Sequence, residues 1–217
     1  MGMAAAVTAE QELQDTREQA ARCRRCPLWE PATQTVFGEG SVSARMLLVG
    51  EQPGDREDVA GRVFVGPAGG VLDRALAAAK IDRTDVYLTN AVKHFKFQQR
   101  GKRRIHAKPG TEEIEACHPW LDAELLLVDP AVVVLMGTVA VRSVLGPGHT
   151  LKSLRGGPLD LLPGRTTVVT THPSSVLRTP VPDAREAAFA GLVDDLRLAR
   201  RQSRGPAATS TDRAAKT

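Results

Sequence analysis

This chain is short of several things, and each shortage excludes a class of protein. It has only three cysteines, which in a chain expected to stay in the cytoplasm argues against a disulfide framework. No apolar run is long enough to span a bilayer, so no membrane role is expected. The opening stretch MGMAAAVTAEQELQDT lacks the basic segment followed by a long apolar one that marks a secretory signal. No internal repeat is visible. At 217 residues the chain suffices for one well-buried core, whereas two full domains would be cramped. The expectation is a single domain over residues 9–201 with a flexible amino terminus over 1–8. The closing stretch RQSRGPAATSTDRAAKT has no large apolar residue to anchor it, which predicts a disordered tail over 202–217.

Acidic residues are missing from one place in particular. Between Val86 and Thr111 there are seven Lys or Arg and no Asp or Glu, a local field that suits a polyanion, although a charge run is also what a solvated loop carries. Within it, GKRRIH ends a basic, glycine-broken loop on a histidine. Near the amino terminus, Cys23-Arg24-Arg25-Cys26 has the spacing of a metal or cluster ligand pair, or of two ordinary buried thiols.

Four short, continuously apolar runs read as strands covered on both faces: Met46 to Gly50, Val86 to Asn90, Ala131 to Gly137 and Thr166 to Thr171. Helical patterns separate or flank them at Glu10 to Arg22, Gly69 to Ala79, Thr111 to Val128, Thr138 to Leu145 and Pro182 to about Arg201. Strands alternating with helices predict an α/β three-layer sandwich, a central four-stranded parallel sheet flanked by helices, with ligands beyond the carboxyl ends of the strands. Those ends carry GEQPGD, TNAVKH and THPSSVLR, and GRVFVGPAG follows the first. A carboxylate (Glu51), an aromatic ring (Phe64), an amide (Asn90) and a histidine (His172) are thereby expected along one sheet edge. This is the inventory that reads a planar heterocycle by stacking and edge hydrogen bonds. Taken singly, Phe64 also fits a core residue, Asn90 a turn-former and His172 a satisfied loop histidine.

GEQPG, GRVFVGPAG, TNAVK and HPSSVLR, in this order between Cys23 and Leu198, resemble the motifs of the iron-sulfur uracil-DNA glycosylases, usually called family 4. The GKRRIH insertion resembles the X-type branch of that superfamily. The resemblance implies uracil-containing DNA as partner, with single strands preferred because they need no unpairing, and a monomer as the default. It implies that Phe64 stacks on the flipped base, that Asn90 reads its edge and that His172 donates to the uracil carbonyl where negative charge grows. Gln52 would help hold the base or a water. In PSSVLR, Ser174 and Ser175 are expected DNA contacts and Leu177 or Arg178 the wedge.

A four-iron, four-sulfur (4Fe-4S) cluster is implied as well. Cys23, Cys26 and Cys117 match three ligand positions, and His94 stands at the remaining one, where relatives carry cysteine; His118 is the poorer candidate. Zinc on Cys3His, a cluster lost on purification, or no metal remain open. Finally, the X-type branch is known for capturing C1′ of the deoxyribose on the histidine of KRRIH, which implies His106 as nucleophile, with Glu51 orienting it. Lys102, Arg103 and Arg104 are expected on phosphates. The competing readings are a turning-over uracil-DNA glycosylase that leaves an abasic site, and a non-catalytic DNA-binding module.

Overall fold

The computed structural model describes residues 8–204. In chain order its elements are α1 (Ala9–Ala20), β1 (Met46–Gly50), α2 (Asp55–Ala60), α3 (Pro67–Ala78), β2 (Val86–Asn90), β3 (Phe97–Arg100), β4 (Arg103–His106), α4 (Thr111–Val128), β5 (Val132–Met136), α5 (Thr138–Leu145), α6 (Leu151–Leu154), β6 (Leu159–Leu162), β7 (Arg165–Thr170), α7 (Pro173–Arg178) and α8 (Pro182–Ser203).

The strands that sequence predicts form a parallel sheet in the order β2-β1-β5-β7. Every residue of β1, β2 and β5 is buried, because both faces of the sheet are covered. Leu47, Val49, Val133 and Leu135 pack on one side with α1, α4 and α5. Met46, Leu48, Val132, Val134 and Met136 pack on the other, with α3 and α8. The pleat sends alternate residues to opposite layers, so each strand is mainly apolar along its length.

The α/β sandwich is therefore as expected, with one addition. A fifth strand, β6, runs antiparallel along β7 at the edge. Its four residues LDLL are too short and too ordinary to announce a strand, and they pair because the turn at Gly164 (φ +71°) folds them back. The basic run, expected as a loop, is an antiparallel hairpin, β3–β4, whose turn contains Gly101 at φ +58°.

Thr8, placed in the flexible amino terminus by sequence, caps α1 by accepting from the Gln11 N–H at 3.3 Å. Helix α8 continues through Gln202 and Ser203 into the expected tail. Residues 1–7 and 205–217, the remainder of the two expected loose ends, lie outside the described residues. Among the described residues no helix is long and apolar enough to cross a membrane.

Chain order reverses at β1, with β2 on one side and β5 on the other. Ligand crevices form at such a switch point, beyond the carboxyl ends of the strands. The residues leaving β1, β2, β5 and β7 converge there on one cleft.

Candidate active site

The cleft encloses about 800 Å³ and is lined by Glu51, Phe64, Asn90, His106 and His172 among others. The four residues that sequence placed along one sheet edge are thus together, and His106 joins them from the hairpin.

Glycines make the floor possible. A Cβ on Gly50 would lie 2.3 Å from Asn90 Oδ1 and 2.6 Å from Phe64 Cζ; one on Gly69 would lie 1.8 Å from the Phe64 carbonyl oxygen. Both are closer than atoms can approach, so a side chain on Gly50 would displace Asn90 and Phe64, and one on Gly69 would meet unyielding backbone. Phe64 itself sits at φ +52°, a conformation costly for a bulky residue and typical of functional sites. Its loop is held by Glu57, a buried carboxylate that accepts the Gly66 N–H at 2.8 Å. Sequence reasoning missed Glu57, although DREDVAG ahead of the Phe64 loop was its signal.

Asn90 is 2% exposed, and its Oδ1 has no hydrogen-bond partner in the protein. Leaving a buried amide oxygen unsatisfied costs about 1–3 kcal/mol, a cost that a ligand donor in the cleft would remove. His172 N-caps α7. Its Nδ1 accepts from the Ser174 N–H at 3.2 Å and lies 2.8 Å from the Ser174 hydroxyl. A backbone N–H only donates, so the neutral ring carries its proton on Nε2. Burial pushes the His172 pKa down from 6.5 to about 4, against the pull of Glu51. The ring is thus a neutral donor. Its plane is 32° from that of Phe64, with ring centres 6.2 Å apart.

At the mouth, His106 Nε2 lies 3.2 Å from Glu51 Oε1. Burial disfavours the Glu51 carboxylate, but the hydrogen bond and charge of His106, helped by Lys108, hold its pKa below the ordinary value. The hairpin register explains how His106 arrives. Phe97 pairs with His106 and Gln99 with Arg104, so these four side chains share one face, and residues 98, 100, 103 and 105 share the other.

Gln52 and Arg104 take partners that were not legible in sequence. Gln52 donates both amide hydrogens to the Lys96 and Ala107 carbonyls at 3.1 and 3.0 Å and accepts the Lys96 N–H at 3.2 Å. Its side-chain amide clamps the neck of the hairpin, and the residue lines the cleft as well. Arg104, expected on phosphate, turns inward instead. It donates to Asp55 at 2.6 Å and to the fully buried Asp58 at 2.5 Å, and lies over the Phe95 and Phe97 rings. Arg104 fastens the hairpin to α2. Lys102 and Arg103 remain exposed, as does Leu177 at 44%.

Ser174 and Ser175 are committed to the His172 loop: the Ser175 hydroxyl donates to the His172 carbonyl at 2.6 Å. Arg178 donates to the Ser174 hydroxyl at 2.9 Å, leaving that hydroxyl's proton for His172 Nδ1. This Arg178–Ser174–His172 series was not legible in sequence, since it depends on the HPSSVLR stretch closing into a helix.

Cys23, Cys26, His94 and Cys117 are all buried. Cys26 is tied to Cys117 and His94, and the hydrogen bond with Cys117, working against burial, pulls its thiol down to about 4 while that of Cys117 is pushed up. Trp120 Nε1 donates to Cys23 Sγ at 3.2 Å, and the Lys93 N–H to Cys117 Sγ at 3.4 Å. His94 Nε2 bonds the Thr35 hydroxyl at 2.9 Å, while its Nδ1 is buried without a partner. Three thiols and an unpartnered imidazole nitrogen are donors that suit a soft metal or an iron-sulfur cluster. Their present partners are one another, the Lys93 N–H, Trp120 and Thr35. Among the described residues no group of three His, Cys, Asp or Glu side chains is disposed to hold a metal ion. His118 is apart from them, paired with Asp122 at 3.3 Å on the exposed side of α4.

An α/β sandwich that opens a stacking ring, an unpartnered amide and a neutral histidine donor onto one cleft is built to hold a flat, hydrogen-bonding ring. Residues 37–197 match the uracil DNA glycosylase superfamily, and the chain belongs to it. It is 37% identical over 172 residues to the type-4 uracil-DNA glycosylase of Thermotoga maritima, covering 79% of this chain and 86% of that one. To the type-4 uracil-DNA glycosylase of Pyrobaculum aerophilum it is 33% identical over 176 residues, 78% and 86% of the two chains. A type-5 uracil-DNA glycosylase of the same organism is 29% identical over 170 residues, 70% of each.

Proposed function

We propose that this protein excises uracil from DNA and captures the resulting sugar on His106, giving a stable protein–DNA bond. The observation behind this reading is the Glu51–His106 pair, 3.2 Å apart, set at the mouth of the same cleft that holds Phe64, Asn90 and His172.

A flipped uracil stacks on Phe64 and presents its edge to Asn90 Oδ1, which accepts the ring N–H it otherwise lacks. As the bond between C1′ and N1 breaks, its electron pair leaves with uracil, and charge grows on the carbonyl facing His172. A neutral Nε2–H stabilises that charge without losing its proton. Glu51, ionised below its ordinary range, stabilises the cationic sugar. It also accepts the His106 Nε2–H, which leaves the lone pair on the other ring nitrogen for C1′. Once the carbon–nitrogen bond forms, the imidazolium passes its Nε2 proton to Glu51, and uracil takes up a proton from solvent. Protein, DNA and uracil are all accounted for.

Lys102 and Arg103 contact phosphates and Leu177 fills the space the nucleotide leaves. Single-stranded DNA is the preferred substrate, and the protein acts as a monomer. Cys23, Cys26, His94 and Cys117 are assigned as ligands of a 4Fe-4S cluster. Such a group would supply an anchor for the fold, since cleavage of a glycosidic bond transfers no electron.

The test uses an end-labelled single-stranded oligonucleotide with one deoxyuridine, run on a denaturing gel after heating. The expected result is free uracil and a retained band at protein-plus-DNA mobility, absent with His106→Ser. Uracil release followed only by alkali-sensitive strand breakage would replace capture by turnover, and no uracil release would leave a DNA-binding module.

A further inference from the structure

Directly beneath the floor of the cleft lie two charged residues that the chemistry above does not use. Lys93 and Glu124 are both fully buried. The Lys93 ammonium donates to Glu124 Oε2, to the Thr89 hydroxyl at 2.7 Å and to the Asn90 carbonyl at 2.8 Å. Each of its three hydrogens therefore has one acceptor. Glu124 also accepts the Gly38 N–H at 2.8 Å, the Tyr87 hydroxyl at 3.2 Å and the Thr89 hydroxyl at 2.7 Å.

Buried ion pairs are seldom the most stable filling for a core, because well-packed apolar residues often do as well. What an apolar pair would not supply is the third bond, to the carbonyl of Asn90. Asn90 lines the cleft and its Oδ1 has no protein partner, so the placement of the amide depends on how its backbone is held. The strand ladder continues past it, with the Ala91 and Val92 N–H groups donating to Gly50 and Glu51 at 3.0 Å. Lys93 fixes the carbonyl. Its own N–H meets Cys117 Sγ, and Cys117 and Glu124 stand two turns apart on α4. One residue thus touches the cysteine site with its backbone and the base-reading residue with its side chain.

We propose that Lys93, held by Glu124, is the positioning residue for Asn90. This rests on the base-reading role proposed for Asn90. The test pairs Lys93→Met with Glu124→Gln, a neutral combination in which the introduced amide still accepts from Gly38 and Tyr87 and donates to Thr89. Two readouts are taken on the full chain: amide hydrogen exchange of residues 90–94, and the rate of uracil release from a single-stranded oligonucleotide, with and without Asn90→Ala.

The expected result is faster exchange confined to residues 90–94 and release slowed about 100-fold, the scale of a misplaced group. In the Asn90→Ala background the pair should add less than about twofold, since residues acting as one unit are not additive. Unchanged protection at 90–94, or an equal loss in both backgrounds, would overturn the proposal. Wild-type protein that releases no uracil would remove the substrate reading, and exchange would still decide the positioning. Lys93→Met alone, in which Glu124 can take up a proton and keep its bonds to Gly38, Tyr87 and Thr89, gives the same readouts should the double variant not fold.

Discussion

His106 Nε2 and Glu51 Oε1 lie 3.2 Å apart, although one residue ends the second strand of a hairpin and the other follows β1 of the main sheet. The contact exists because Gln52 grips the hairpin neck and Arg104 pins the hairpin face to Asp55 and Asp58.

Replacing Glu51 by Gln keeps a hydrogen-bond acceptor for His106 but removes the charge and the proton acceptor. Capture of the sugar should slow at least about 100-fold, the usual scale of a lost general base. Affinity for DNA without uracil should not change. Time courses of the heat-stable band, with a separate filter-binding titration, check both halves.

The depressed pKa of His172 predicts a sign for acid stability. Between its ordinary value of 6.5 and its folded value of about 4, the unfolded chain binds a proton that the folded chain does not. Stability is therefore lost as pH falls through that window. The melting temperature of the wild-type protein should drop more steeply from pH 6.5 to 4 than that of His172→Gln. Parallel curves would show that the ring is not held neutral. Uracil release by His106→Ser should persist to about pH 5, where an ordinary imidazole is mostly charged.

Arg104→Met removes the donor from Asp58, which is fully buried, and leaves it only the Thr33 N–H. Unmaking such a bond costs about 1–3 kcal/mol, more for a charged group. Thermal unfolding should register that loss, and the capture rate should fall with it because His106 shares the hairpin face. Lys102→Gln and Arg103→Gln should behave differently: unchanged stability, and a binding slope against salt shallower by about 0.7 per lost phosphate contact on single strands.

Gly50→Ala forces a methyl group against Asn90 Oδ1 and the Phe64 ring. Uracil release should be abolished while the protein still folds, because the neighbouring side chains have the open cleft to move into. Wild-type activity in this variant would mean that Phe64 and Asn90 do not form the floor on which a base rests.

The sheet was legible because strands buried on both faces are mainly apolar along their length, as in MLLVG, AVVVLMG and the first three residues of VYLTN. The edge strand β6 was not, since four residues with ordinary leucines carry no period. The cleft residues Glu51, Asn90 and His172 were legible from their places at strand ends, and Phe64 from the GRVFVGPAG stretch that follows the first of them. The partners that Gln52 and Arg104 take were not legible for one reason: both bind the hairpin to the body of the protein, and sequence showed a basic loop rather than a hairpin with an inward face. The Lys93–Glu124 pair was hidden because nothing local says that two charges 31 residues apart are buried together.

The most direct test of the central claim is the intact mass of the protein after incubation with a single-stranded oligonucleotide containing one deoxyuridine, followed by heat denaturation. Capture by His106 predicts a species with the mass of protein plus oligonucleotide less one uracil, with fragmentation placing the addition on His106, and no such species from His106→Ser. Unmodified protein alongside an oligonucleotide that has lost uracil and gained water would contradict it, and the hairpin would then serve only to hold DNA.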